Sequence, residues 1–149
     1  MTLARLLRLG ALALALAATA PALEAQRTMT RITRDELIEL VRGEGFGTIE
    51  TRDGTTFTTR MEGYKVAFFV LTDGESVQAY FGRSGTNARL ANINDWNKGK
   101  RYSRAYLDDD GDPVLELDLD LAGGVTTDRV RDFIRTVKIS VARFSTDVK

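Results

Sequence analysis

The chain has no cysteine and no histidine among its 149 residues. Without cysteine there is no disulfide, no thiolate nucleophile and no thiolate metal ligand. A lipid anchor of the lipoprotein type, which needs a cysteine, is not expected either. Without histidine there is no imidazole base, no Ser-His-Asp triad and no ordinary zinc site. Chemistry would have to rest on Asp, Glu, Lys, Arg, Tyr or Ser. The expectation is a protein that is not an enzyme, with no catalytic residues, no metal ligands and no cofactor. An excess of one charge is also missing, since 21 basic residues balance 21 acidic ones. Binding to a nucleic-acid backbone needs a basic footprint, so no nucleic-acid partner is expected.

Long apolar runs are scarce. One segment, "MTLARLLRLGALALALAATAPALEAQ", places Arg5 and Arg8 before an apolar stretch from Leu9 to about Ala18, followed by small residues. That is the layout of a secretory signal peptide. The stretch falls short of the roughly 20 apolar residues of a membrane span, and Pro21 interrupts it. Cleavage is expected after Ala25, with Ala22 as the alternative. Removal takes away Arg5, Arg8 and Glu24 and leaves the mature chain near neutral. The expected product is periplasmic or secreted, with no membrane association after cleavage. It is read as a tether over 26–32 and one domain over 33–149.

Local signals give the element order. "TRDELIELVRGEG" reads as a helix, with Thr33 as N-cap, Glu36 closing a capping box and Leu37, Leu40 and Val41 as its apolar stripe. Gly43 and Gly45 are its stop signals. From Phe46 the period becomes two. Asp53-Gly54 and Asp73-Gly74 mark turns, and strands are expected near 47–52, 55–62, 64–72 and 76–82. In "YKVAFFVLT" both alternating sets are apolar, which predicts a strand in the middle of a covered sheet. Thr86 is a candidate cap for a helix over about 87–97, with Leu90, Ile93 and Trp96 turned inward. The last segment carries Val130, Phe133, Ile134, Val137, Val141 and Phe144 on one helical face, with Thr127 as candidate N-cap. The sum is an α+β domain: an antiparallel meander of about five strands with three helices.

The stretch "YLDDDGDPVLELDLDL" raises the question of a calcium loop. With Gly111 at the glycine position of an EF-hand loop, its end ligands would be Tyr106 and Leu117; with Asp108 first, Pro113 takes the glycine position. Neither register works. A hairpin fits instead. Leu115, Leu117, Leu119 and Leu121 alternate with Glu116, Asp118 and Asp120, so leucines face the core and carboxylates face solvent. A loop centred on Asp110 sets Arg104 opposite Glu116, Ala105 opposite Leu115 and Tyr102 opposite Asp118. The aspartates at the tip are turn formers, with a weak cation site over Asp108–Asp112 as the alternative.

"NINDWN" gathers Asn94, Trp96 and Asn97, with Tyr102 and Arg104 following. The favoured reading is a core tryptophan at a helix-to-strand junction with asparagines closing the turn; these five residues are the candidate interaction patch if the segment binds a ligand instead.

"NINDWNKGKRYSRAYLDDDGDPVLELDLDLAGGVT", followed by an apolar helix, resembles the YbjN-domain family of bacterial proteins. The matching residues are Asn94, Trp96, Asn97, Arg101 to Leu107, Asp110-Gly111-Asp112 and Gly124-Val125. "GYKVAFFVLTDGESVQAYF" is similar in style, and the resemblance spans about 33–145. It implies a fold like that of type III secretion chaperones, an α/β sandwich that is often dimeric, and a label of sensory transduction regulator. It implies no enzyme activity, cofactor or catalytic residue. The expectation is an exported, non-enzymatic module that binds a protein or peptide and forms a homodimer. The alternative is a periplasmic sensor of a small molecule or divalent cation.

Overall fold

The structure, a computed structural model, describes residues 28–149. The expected leader over 1–25 lies outside the described residues. In chain order the elements are β1 (Thr28–Met29), α1 (Arg34–Gly43), β2 (Glu50–Thr51), β3 (Thr56–Met61), β4 (Tyr64–Leu71), β5 (Ser76–Gly82), α2 (Leu90–Gly99), β6 (Arg104–Leu107), β7 (Pro113–Asp120), β8 (Val125–Thr126) and α3 (Thr127–Asp147). A 3-10 turn, Thr72–Gly74, joins β4 to β5.

The described part of the expected tether is docked rather than loose. β1 pairs antiparallel with β8, Ile32 is buried, and the Ile32 N–H donates to the Gly74 carbonyl at 2.9 Å. Met29 and Ile32 are the apolar residues of this segment, and both pack on the core.

The main sheet has the order β2-β3-β4-β5-β7-β6, and all neighbours are antiparallel. Four strands follow one another as a meander. The chain then passes through α2 to the far edge, runs as β6, and returns as β7 into the gap beside β5. The hairpin register is the expected one for Arg104 with Glu116 and Ala105 with Leu115. Tyr102 and Asp118 do not pair as strand partners, because Tyr102 leaves the extended region, at φ 65°, and β6 begins only at Arg104.

One face of the sheet carries the core. Phe57, Phe68, Ala79 and Leu117 stand in register across four strands, and Phe57 stacks on Phe68 at 5.2 Å. The buried side chains of all three helices join this same cluster. α1 has the expected capping box on Thr33 and Glu36, and it buries Leu37, Ile38 and Val41. α3 buries the six apolar residues of its expected face and is capped by Thr126, one residue earlier than expected. Each fully buried side chain of this size is worth roughly 1.5–3 kcal/mol. α2 starts at Leu90 rather than near Asn87; Ile93 and Trp96 point inward, but Leu90 is 72% exposed. As the first residue of that helix, Leu90 lies beyond the reach of the core face. At the other end of the core, Glu44 follows α1 and accepts from Arg135 Nε of α3 at 2.6 Å and from Arg131 Nη1 at 3.4 Å. The Arg135 hydrogen bond, opposed by desolvation and helped by both guanidinium charges, holds the Glu44 carboxyl below its usual range.

β4 sits in the interior of the sheet, yet among the described residues only one of its faces is covered by helices. Val66, Phe68 and Val70 are buried; Ala67 and Phe69 are half-buried and Leu71 is exposed. The three described helices all pack on one face, so the second apolar set of β4 lies on the side they leave uncovered.

Candidate functional site

The acidic hairpin resolves into two environments. At the tip, the Asp108 carboxylate accepts from the backbone N–H of Asp110 at 3.1 Å and of Asp112 at 2.8 Å. Gly111 takes φ 81°, and its N–H donates to the Asp108 carbonyl at 3.0 Å. Asp108 is thus engaged by the turn itself. Among the described residues no group of three or more acids is placed to hold a metal ion.

Along β7 one expectation needs correction. Asp118 and Asp120 are exposed, but Glu116 is buried, with 6% of its surface accessible. It lies on the face away from the core, beneath its strand neighbours. Arg104 Nε donates to Glu116 Oε2 at 2.6 Å, and the Tyr106 hydroxyl donates to Oε1 at 3.0 Å. Alternation alone places a side chain on the open face. It does not reveal that long neighbours two strand positions apart fold over it. Burial, and then the bond to the Glu116 carboxylate, push the Tyr106 hydroxyl up to about 12. Burial also raises Tyr80, helped by the charges of Asp108, Glu116 and Asp112.

The five candidate patch residues divide. Trp96 is buried, lies edge-on to Phe144 at 5.0 Å, and donates its indole N–H to Ser103 Oγ at 3.1 Å. Asn97 clamps the backbone of Ala105. Asn94 is exposed, as is Tyr102, at 75%. Arg104 lies on the open face over Glu116. They do not converge on one cleft. Tyr102 instead lines a depression of about 390 Å³ with Asp118 of β7 and Arg129, Asp132, Phe133 and Thr136 of α3.

Beside that depression the edge of β7 is open. Leu121 N–H donates to the Glu75 carbonyl at 2.8 Å, and Arg83 N–H to the Pro113 carbonyl at 3.1 Å. In an antiparallel ladder these bonds direct the odd-numbered residues of β7 toward β5 and the even-numbered ones away. Val114 and Glu116 meet Tyr106 and Arg104 of β6. Asp118 and Asp120 have no strand partner on that side among the described residues.

A second cleft, about 350 Å³, lies on the open face over β3, β4 and β5. It is lined by Thr56, Thr58, Ala67, Phe69, Tyr80 and Gly82, with the cationic side chains of Arg52 and Lys65. None of these residues was singled out from the sequence. The available signal was the double apolar pattern of β4, together with too few helices to cover both faces.

Among the described residues the scaffold is a two-layer α+β protein, one helix-covered antiparallel sheet with its other face and part of one edge open. Residues 33–149 match the model of the YbjN family, described as "Putative bacterial sensory transduction regulator". The chain belongs to that family, as the Trp-Asn and Asp-Gly-Asp stretches led us to expect. No curated protein and no solved structure matches it.

Proposed function

We propose that the chain is an exported, non-enzymatic module that binds a protein or peptide segment as an added strand at the free end of β7. One observation carries the reading. The main-chain groups of Asp118 and Asp120 face away from β5 with no strand partner among the described residues, beside the depression lined by Tyr102 and Phe133. A free edge recruits an extended segment through main-chain hydrogen bonds, and an adjacent hollow takes alternate side chains. Export rests on the layout of residues 1–25, and the absence of enzymatic activity on the lack of histidine and cysteine. The homodimer implied by the family resemblance belongs to the same proposal; a monomer by light scattering at tens of micromolar counts against it.

The test is crosslinking and pull-down with the mature protein from its own periplasm, comparing the native chain with Asp120→Pro. Proline at this edge position removes the outward N–H and leaves the β5 ladder intact. The variant is expected to stay folded by circular dichroism and to lose its captured partner. Capture at full strength by a folded Asp120→Pro protein removes the edge reading. N-terminal sequencing of the exported protein checks the leader; a chain beginning at Gln26, or at Leu23, is expected.

A further inference from the structure

We infer that the open face of the sheet carries a binding site for a small amphipathic anion, a carboxylate on an aromatic or acyl body. The inference does not depend on the peptide reading, because the edge of β7 takes no part in it.

Most of the open face is already closed by its own side chains. Val114 is fully buried, and Thr56, Thr58 and Glu116 nearly so, although all four point to that side. Tyr80 lies over Gly82, where an added Cβ would come within 3.0 Å of the Tyr80 hydroxyl. The flat apolar area that a protein partner needs is therefore lacking. What remains is the cleft between Phe69 and Tyr80, of about 350 Å³. That lies within the range of small-ligand cavities, about 300–1,000 Å³, and it takes a body of roughly a dozen heavy atoms at about 30 Å³ each.

The charge at the cleft selects the sign of the ligand. The Arg52 guanidinium has no ion-pair partner among the described residues. Lys65 pairs with Glu50 at 2.7 Å. The two carboxylates that flank Arg52 in the chain are occupied: Glu50 accepts from Lys65 and Thr58, and Asp53 accepts from the N–H and hydroxyl of Thr55. Arg52 is thus the group left to meet a ligand headgroup, and its planar fork matches a carboxylate. An apolar lining with cationic side chains fits an amphipathic anion and disfavours a cation of the same shape.

The experiment titrates the mature protein with sodium decanoate below its micelle concentration, following backbone amide shifts by NMR. Decyltrimethylammonium and decanol serve as cationic and neutral controls, and Arg52→Gln and Ala67→Leu as variants. Decanoate is expected to move amides of residues 56–58, 67–69 and 80–82 and to saturate at or below about 1 mM. Arg52→Gln, an exposed change, weakens binding roughly three- to tenfold. Ala67→Leu fills the cleft and abolishes binding. Three results would each overturn the inference: no saturable shift at those amides, equal binding of the cationic control, or unchanged affinity in folded Arg52→Gln.

Discussion

The side-chain amide of Asn97 holds both main-chain polar groups of Ala105. Its Nδ2 donates to the Ala105 carbonyl at 3.0 Å, and its Oδ1 accepts from the Ala105 N–H at 3.0 Å. Arg104 and Tyr106 direct their main chain to β7, so Ala105 points outward from the sheet. An asparagine on α2 thus takes the place of a missing neighbour strand and closes the edge of β6. The same helix fixes itself by Trp96, whose indole N–H reaches Ser103. The Trp-Asn pair is a structural clamp between helix and edge strand.

Asn97→Ala leaves both Ala105 groups to water. We expect a loss of about 1–2 kcal/mol in urea denaturation, with Asn97→Asp intermediate because it keeps the acceptor and loses the donor. Native-state hydrogen exchange should show the Ala105 amide losing protection in Asn97→Ala. An unchanged Ala105 exchange rate would show that the clamp is not closing the edge.

Much of this fold was legible in the sequence, and the exceptions have physical causes. Strict alternation in β7 gave the leucine face and the register with β6, because a slip of one residue would turn four leucines to water. The face of α3 was legible because six apolar residues keep one helical period over fifteen positions. The placement of β7 between β5 and β6 was not, since pairing between distant strands leaves no local mark. The burial of Glu116 was also hidden. It depends on the length and direction of Arg104 and Tyr106, not on the period of β7. Of the candidate patch, Trp96 and Asn97 turned out to serve the fold, and the aromatic lining residues Phe69 and Tyr80 came from strands that read simply as core.

The Tyr106 hydroxyl gives a pH test. Its proton is held to about 12 in the folded chain, against about 10 when free. A raised folded value means that the folded state binds the proton more tightly. The contribution to stability is whole below about pH 10 and is lost as pH rises through about 12. Tyr106→Phe should therefore flatten the fall of stability over that window. Ultraviolet titration at alkaline pH should show one tyrosine fewer in the late-ionising class. Glu116→Gln should bring Tyr106 down only in part, since burial is its larger cause.

Two glycines with similar backbone angles separate strain from crowding. Gly45 has φ 93° with open space where a Cβ would sit. Gly74 has φ 94°, and an added Cβ would lie 2.7 Å from the carbonyl oxygen of Ile32. Ile32 cannot yield easily, because its N–H is bonded to Gly74 and its side chain is in the core. Gly45→Ala should cost about 1–2 kcal/mol from conformation alone. Gly74→Ala should cost roughly 3 kcal/mol or more and release the segment from Thr28 to Ile32. Limited proteolysis of that segment, run beside thermal melts, distinguishes the two. Equal losses in both variants would show that the segment is not pinned there.

Thr59 is the place where the core itself can be improved. It stands on the helix-covered face of β3 opposite Val66, is 2% exposed, and its Oγ1 is buried with no hydrogen-bond partner among the described residues. Its neighbours along the strand on that face are Phe57 and Met61, both fully buried. A hydroxyl in such surroundings gives up its water and gains nothing in exchange. Thr59→Val replaces it with a methyl of nearly the same shape and keeps the β-branched strand preference. The expected outcome is a gain of about 1 kcal/mol in urea denaturation with an unchanged m-value. Thr59→Ala should go the other way, because it leaves a cavity beside Phe57. If Thr59→Val is less stable than the native chain, the hydroxyl has a hydrogen-bond partner in solution that a methyl cannot replace.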